Sequence, residues 1–243
     1  MSTEEQAKRD RRRLRLLELP GYYINLDKSP ERKLQFIELV GYAWKGPLTW
    51  VAGVDGSKIP AADVVKFIDS RRKHAGKPTK DVYPPQTMRI GAGSLGCLRG
   101  HISALRSGLE DGHERFIVFE VDAALRDSVL QRTPEPEADF VAWGGLVMLG
   151  FKSDDQLFAN GVAQDWLPLS SSSRFYGAHA YELTRKVAEK LLAIYEKEEQ
   201  TTDDGWHQLF DDVNAVRARV QVVTQKSGTT SMINNKKRET GAI

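Results

Sequence analysis

Arg115-Phe116-Ile117-Val118-Phe119-Glu120-Val121-Asp122 decides the fold class. Neighbouring side chains of a strand point to opposite sides, so a run with no polar interruption needs cover on both faces. A strand buried on both faces is the expected centre of an α/β sheet, with helices above and below it. Working outward, Gly112 and His113 close a helix predicted from about Leu95 to Leu109. Further upstream, Tyr22-Tyr23-Ile24-Asn25-Leu26 reads as a first strand and Asp27-Lys28-Ser29-Pro30 as a loop. Ser29 then stands as a helix N-cap, with Pro30 at the first helical position and Leu34, Phe36, Ile37 and Val40 supplying an apolar face. Thr49-Trp50-Val51-Ala52 is a second strand, closed by Gly53-Val54-Asp55-Gly56. Strand, helix and strand in alternation predict a doubly wound α/β sheet.

The remaining chain fits that scheme. Residues 61–74 form a polar helix, and the Pro-, Gly- and Lys-rich stretch from Gly76 to Gly93 reads as a long loop. Residues 138–149 carry a second apolar stretch, and 151–174, with Ser170 to Ser173, a polar loop or flap. Gly177-Ala178-His179-Ala180-Tyr181 leads into a helix from Thr184 to Glu196. Thr201 to Phe210 is a short acidic-aromatic turn and helix, and Arg219-Val220-Gln221-Val222-Val223 a last strand.

Composition narrows the class. The chain has 243 residues, 40% hydrophobic and 28% charged, which is ordinary for one α/β domain. Thirty-five Lys and Arg against 33 Asp and Glu leave a net charge of +2, so bulk charge does not announce a nucleic-acid binder. The basic groups are concentrated instead: Arg9, Arg11, Arg12, Arg13 and Arg15 near the start, Lys236, Lys237 and Arg238 near the end. Such runs attract phosphate-rich polymers or anionic membranes, although a solvated tail is the bland alternative. With Cys97 the single cysteine, no internal disulfide can form, which fits a reducing, cytoplasmic setting. No signal-peptide region and no apolar stretch of about 18–20 residues is present, so the expectation is a soluble or peripheral protein.

Ligands of open α/β sheets bind beyond the carboxyl ends of the strands. Three such ends carry polar residues: Asn25 and Asp27, Asp55, and the pair Glu120 and Asp122. Two carboxylates one residue apart suit a hard divalent cation, Mg²⁺ or Mn²⁺, which takes oxygen ligands and substrate phosphates. Asp203 and Asp204, beside Trp206 and His207, form a cluster able to take a proton from a hydroxyl, or simply to cap the helix that follows. His179 and His101 are candidate ligands, with a satisfied structural histidine as the plain alternative for each.

The order of these blocks resembles glycosyltransferase family 25, the family of lipopolysaccharide and collagen hydroxylysine galactosyltransferases. Tyr23-Ile24-Asn25-Leu26-Asp27-Lys28-Ser29-Pro30-Glu31-Arg32 is similar to the family's opening INLDRxxxR, and Ala52-Gly53-Val54-Asp55-Gly56 to its A-x-D-G signature. Gly93-Ser94-Leu95-Gly96-Cys97-Leu98-Arg99-Gly100-His101 resembles the G-E-I-G-C-x-x-S-H block. Phe119-Glu120-Val121-Asp122-Ala123 resembles the L-E-D-D-A metal strand, and Gly177-Ala178-His179-Ala180-Tyr181 resembles G-T-H-A-Y. Asp203-Asp204-Gly205-Trp206 sits where the family has an acidic turn, and Gln225 and Ser231 where it has a closing Q-x-S-like segment. The departures are Val121 for the middle acid, Ser94 for Glu and Gly100 for Ser.

The resemblance implies a GT-A-like, Rossmann-related fold with a mixed sheet, a UDP-sugar or other nucleotide-sugar donor, and Mn²⁺ or Mg²⁺. It places Asn25, Asp27, Arg32, Asp55 and His101 at the donor, and Glu120, Asp122 and His179 at the metal. Asp204, with Asp203 as its alternative, would be the base of an inverting transfer to an acceptor hydroxyl. The expected organisation is a charged arm over residues 1–19, one domain over 20–233 and a basic tail over 234–243. A saccharide or lipid-linked saccharide is the expected acceptor. Two other readings stay open: transfer to hydroxylated bases of DNA, with the basic arm holding the polymer, and a binding module that has lost turnover.

Overall fold

The computed structural model describes residues 17–126, 138–147, 166–172, 175–218 and 221–225. Its strands are β1 (Gly21–Asn25), β2 (Leu48–Ala52), β3 (Arg115–Glu120), β4 (Ala123–Leu125), β5 (Phe140–Val147), β6 (Trp166–Pro168), β7 (Phe175–Thr184), β8 (Ala215–Ala218) and β9 (Val223–Gln225). Its helices are α1 (Pro30–Phe36), which continues as a π-turn over Ile37–Gly41, α2 (Ala61–His74), α3 (Pro85–Glu110), α4 (Arg185–Tyr195) and α5 (Thr202–Leu209). Seven strands form one sheet in the order β2-β1-β3-β7-β5-β8-β6, and β4 and β9 form a separate pair. β1 runs parallel to β2 and β3, and β7 antiparallel to β3 and β5. The architecture is mixed α/β, consistent with a GT-A-like, Rossmann-related fold.

β3 behaves as its sequence demands. Phe116 and Val118 enter the core that α3, α4 and α5 cover, together with Leu95, Leu98, Leu191 and Trp206. Ile117 and Phe119 enter the opposite core with Tyr23, Phe36, Val40 and Trp44. Tyr22 and Tyr23 divide between the two cores in the same way. Leu17, the last residues of the charged arm, also belongs to the second core, and its carbonyl accepts from the Lys45 and Gly46 amides. Residues 1–16 of the arm and the basic tail lie outside the described residues, as do Met148, Leu149, most of the expected flap, and Ser231.

Two sequence expectations need correction. The stretch from Gly76 to Gly93 is a loop only as far as Pro84, since α3 begins at Pro85 with proline in its first turn. Glycines at 91, 93, 96 and 100 argue against a helix by propensity, but packing requires Gly91 and Gly96. A Cβ on Gly96 would stand 2.6 Å from the carbonyl oxygen of Val54, and one on Gly91 2.7 Å from Ile68. From the other side, a Cβ on Gly56 would overlap the carbonyl of Ala92. Gly177–Tyr181 leads into a helix as expected: it lies within the ten-residue β7, and α4 starts at Arg185 directly after it. The last strand, expected over Arg219–Val223, is replaced by two flanking ones: β8, ending at Ala218, joins the main sheet beside β5, and β9, starting at Val223, pairs with β4. Residues 219–220 lie outside the described residues.

The sign of one substitution tests this packing. Alanine normally stabilises a helix interior over glycine by up to about 1 kcal/mol. Gly96→Ala instead forces α3 away from the Val54 carbonyl, and is expected to destabilise by about 1–3 kcal/mol in urea unfolding. A stabilised variant would contradict the contact.

Candidate functional site

The ends of β1, β2 and β3 open under α3, and their convergence makes a cavity of about 430 Å³. Asn25 closes β1, buried, with its amide Nδ2 donating to the Ser29 carbonyl at 3.0 Å. That bond fixes the turn into α1. Ser29 occupies the N-cap position without a side-chain cap bond, and Pro30 the first helical position. α1 in turn presents Arg32, whose guanidinium lies 3.6 Å from the Asp122 carboxylate. Asp55 follows β2. It accepts from the Ser57 amide and hydroxyl and from Lys28 Nζ at 2.6 Å. The lysine bond, then Ser57, hold its carboxyl down at about 2.

From α3, Cys97 and His101 stand one helical turn apart and face the end of β3. The Cys97 thiol donates to Glu120 Oε1 at 3.6 Å, and His101 Nε2 lies 3.6 Å from the same oxygen. His101 is fully buried, stacked on Tyr181 of β7 and hydrogen-bonded through Nδ1 to the Tyr181 hydroxyl at 2.9 Å. Burial, and then the charge of Glu120, push the Cys97 thiol well up.

α5 borders this cluster. Asp203 accepts from the Gly177 amide at 3.0 Å. Burial, and then the nearby Glu120 charge, push it up to about 7. Its neighbour is occupied differently. The Thr201 hydroxyl donates to Asp204 Oδ2 at 2.6 Å and accepts from the Asp204 amide, a reciprocal helix cap. Arg71 stands 3.5 Å from the same Asp204 oxygen.

Of the residues singled out from the sequence, Asn25, Arg32, Asp55, His101, Glu120 and Asp122 line the cavity together. Asp27 does not; it is exposed in the turn before α1. Nor does His179, which is buried on β7 with its ring so close to Gly144 that a Cβ there would overlap it. Asp203 is not part of the lining, although it lies close enough to Glu120 and Cys97 for their charges to act on one another. Sequence reasoning passed over Lys28, Arg89 and Cys97 as site residues, although all three line the cavity. Arg89 was hidden in the presumed loop. The spacing Arg89, Gly93, Gly96, Gly100 was its signal, one face of a helix.

The family model of glycosyltransferase family 25 (LPS biosynthesis protein) matches residues 19–206. The chain belongs to glycosyltransferase family 25. No curated protein matches it. The match begins at the β1 approach and ends in α5, so it spans every element around the cavity of this family 25 chain. Two departures from the family pattern have local explanations. Val121 is buried with Phe119 and Ala123 in the second core, where a carboxylate would be partly desolvated. A Cβ on Gly100 would come 3.0 Å from Ile24, leaving little room for the family's serine.

Asp203 gives a pH signature. Its folded pKa of about 7 lies above the ordinary aspartate value of 3.8, so between these values the folded state holds a proton that the unfolded chain has lost. Asp203 therefore favours folding below this window, and that contribution is lost as pH rises through about 7. Asp203→Asn is expected to flatten the stability profile between pH 4 and 7, measured by thermal melts against wild type. An unchanged slope would contradict the assignment.

Proposed function

We propose that this family 25 glycosyltransferase binds a nucleotide-sugar donor, a UDP-hexose by family resemblance, in the cavity under α3 and transfers the sugar to an acceptor hydroxyl. The observation that carries the reading is the gathering of Lys28, Arg32 and Arg89 with Asn25 and Asp55 around one cavity at three strand ends. Guanidinium groups suit a diphosphate, since their planar donors pair with two oxygens at once. Asn25 Oδ1 is buried without a hydrogen-bond partner among the described residues, which leaves an acceptor for a donor hydroxyl or base amide.

In the proposed reaction the acceptor oxygen attacks the anomeric carbon as the bond from that carbon to the diphosphate breaks, inverting the centre. The diphosphate leaves with the bonding electrons, and Arg32 and Arg89 offset its charge. The acceptor's proton passes to Asp203, whose pKa near neutrality suits a base working at neutral pH. Asp203 replaces Asp204 in this role because Asp204 is engaged with Thr201 and Arg71. A saccharide is the acceptor we favour.

The resemblance also implies a divalent ion on the acidic strand end. Glu120 fits one, with its carboxylate on the cavity beside further donor atoms. Asp122 fits less well, since Arg32 already neighbours it. Bound there, an ion would supply Lewis-acid charge against the leaving diphosphate.

A panel of nucleotide sugars, read by donor hydrolysis and transfer, tests the reading. Asp203→Asn should lower turnover by about 100-fold or more while donor-induced thermal stabilisation survives. Asp204→Asn should keep turnover within a few-fold and lose about 1 kcal/mol of stability with its cap. Arg32→Ala should weaken donor binding by about tenfold or more. Full transfer by Asp203→Asn would remove it as the base, and no response to any nucleotide sugar would remove the donor reading.

A further inference from the structure

We propose that Cys97, His101 and Glu120 form a binding site for a borderline-soft transition-metal ion of the zinc class. Their donor atoms lie within 4.8 Å of one another, the one such cluster among the described residues. Glu120 Oε1 is 3.6 Å from both Cys97 Sγ and His101 Nε2. Bonds of about 2.0–2.3 Å at tetrahedral angles set neighbouring ligands about 3.3–3.8 Å apart. Glu120 therefore already stands from Cys97 and from His101 at the separation that a four-coordinate ion requires.

His101 supplies the independent indication. It is 1% exposed, and its Nε2 makes no hydrogen bond among the described residues. That nitrogen is directed at Glu120, while Nδ1 is held by the Tyr181 hydroxyl. One ring nitrogen fixed by an outer partner and the other offered inward is how proteins orient a ligating imidazole. Cys97 and His101, four residues apart on one face of α3, are fixed relative to each other by the helix. Three protein ligands beside a cavity leave the fourth position to water or substrate, as at zinc sites that take part in chemistry.

The donor set decides the class of ion. A thiolate, an imidazole and one carboxylate suit zinc or cobalt, whereas magnesium and manganese prefer oxygen ligands throughout. On binding, the sulfur–metal bond forms and the thiol proton leaves to solvent. The site shares the cavity of the proposed donor and rests on its geometry, not on turnover.

Cobalt(II) titration of the metal-free full-length protein tests it. Because Cys97 is the chain's single cysteine, a thiolate-to-cobalt charge-transfer band can have no other intramolecular source. The expected result is a band saturating at one ion per chain, abolished by zinc. Cys97→Ser should remove the band, His101→Gln should weaken cobalt binding by about tenfold or more, and Asp122→Asn should leave the band intact. Absence of the band in the wild type overturns the proposal whatever the variants do. So does cobalt binding that depends on Asp122 and not on His101. Thermal stabilisation by nucleotide sugars in the same samples separates the readings: the band without stabilisation sinks the donor reading alone, and stabilisation without the band sinks the metal site alone.

Discussion

The close approach of α3 to the loop after β2 sets the geometry of everything beneath it. Helix backbone meets loop backbone where Gly96 lies under the Val54 carbonyl and Gly56 under that of Ala92. Side chains at these glycines would lift the helix by the width of a methyl group or more. The same contact brings Cys97 and His101 to the Glu120 carboxylate and holds Asp55 at the cavity rim. Glycine is thus used in this helix against its propensity, and its local cost supports the site.

Charge is arranged in the cavity by pairing. Lys28 neutralises Asp55 and Arg32 neighbours Asp122, while Glu120 stands among a thiol, an imidazole and the half-buried Asp203. Burial first, and then the neighbouring Glu120 charge, disfavour the ionised form of Asp203 and push its carboxyl up. Negative charge on a ligand is favoured near Lys28, Arg32 and Arg89, and a cation near Glu120. One cavity can thereby offer opposite surroundings to two halves of a polar substrate. Among the described residues no helix is long and apolar enough to cross a membrane.

How much of this was legible depends on the range of the interaction responsible. β3 could be read directly, because burial on both faces writes itself into consecutive residues. The strand-end residues Asn25, Asp55 and Glu120 could be read because the alternation of elements places them. The start of α3 could not, since the reason for its glycines lies some forty residues earlier, at Val54 and Gly56. Asp203 and Asp204 could not be ranked by composition, being adjacent and identical. The spacing of Thr201 to Asp204 was the available clue, as a capping pair occupies the second acid. His179 followed a motif into a strand that turns its ring toward Gly144 and not the cavity. The family resemblance recovered the identity of the chain while leaving such orientations open.

The most direct measurement of the account is a crystal structure of the full-length chain with a nucleoside diphosphate sugar. The account predicts the diphosphate between Arg32 and Arg89 under α3, with the sugar's anomeric carbon toward Glu120 and Asp203. A donor bound at another surface, or a cavity that stays free of ligand at saturating donor, would contradict it.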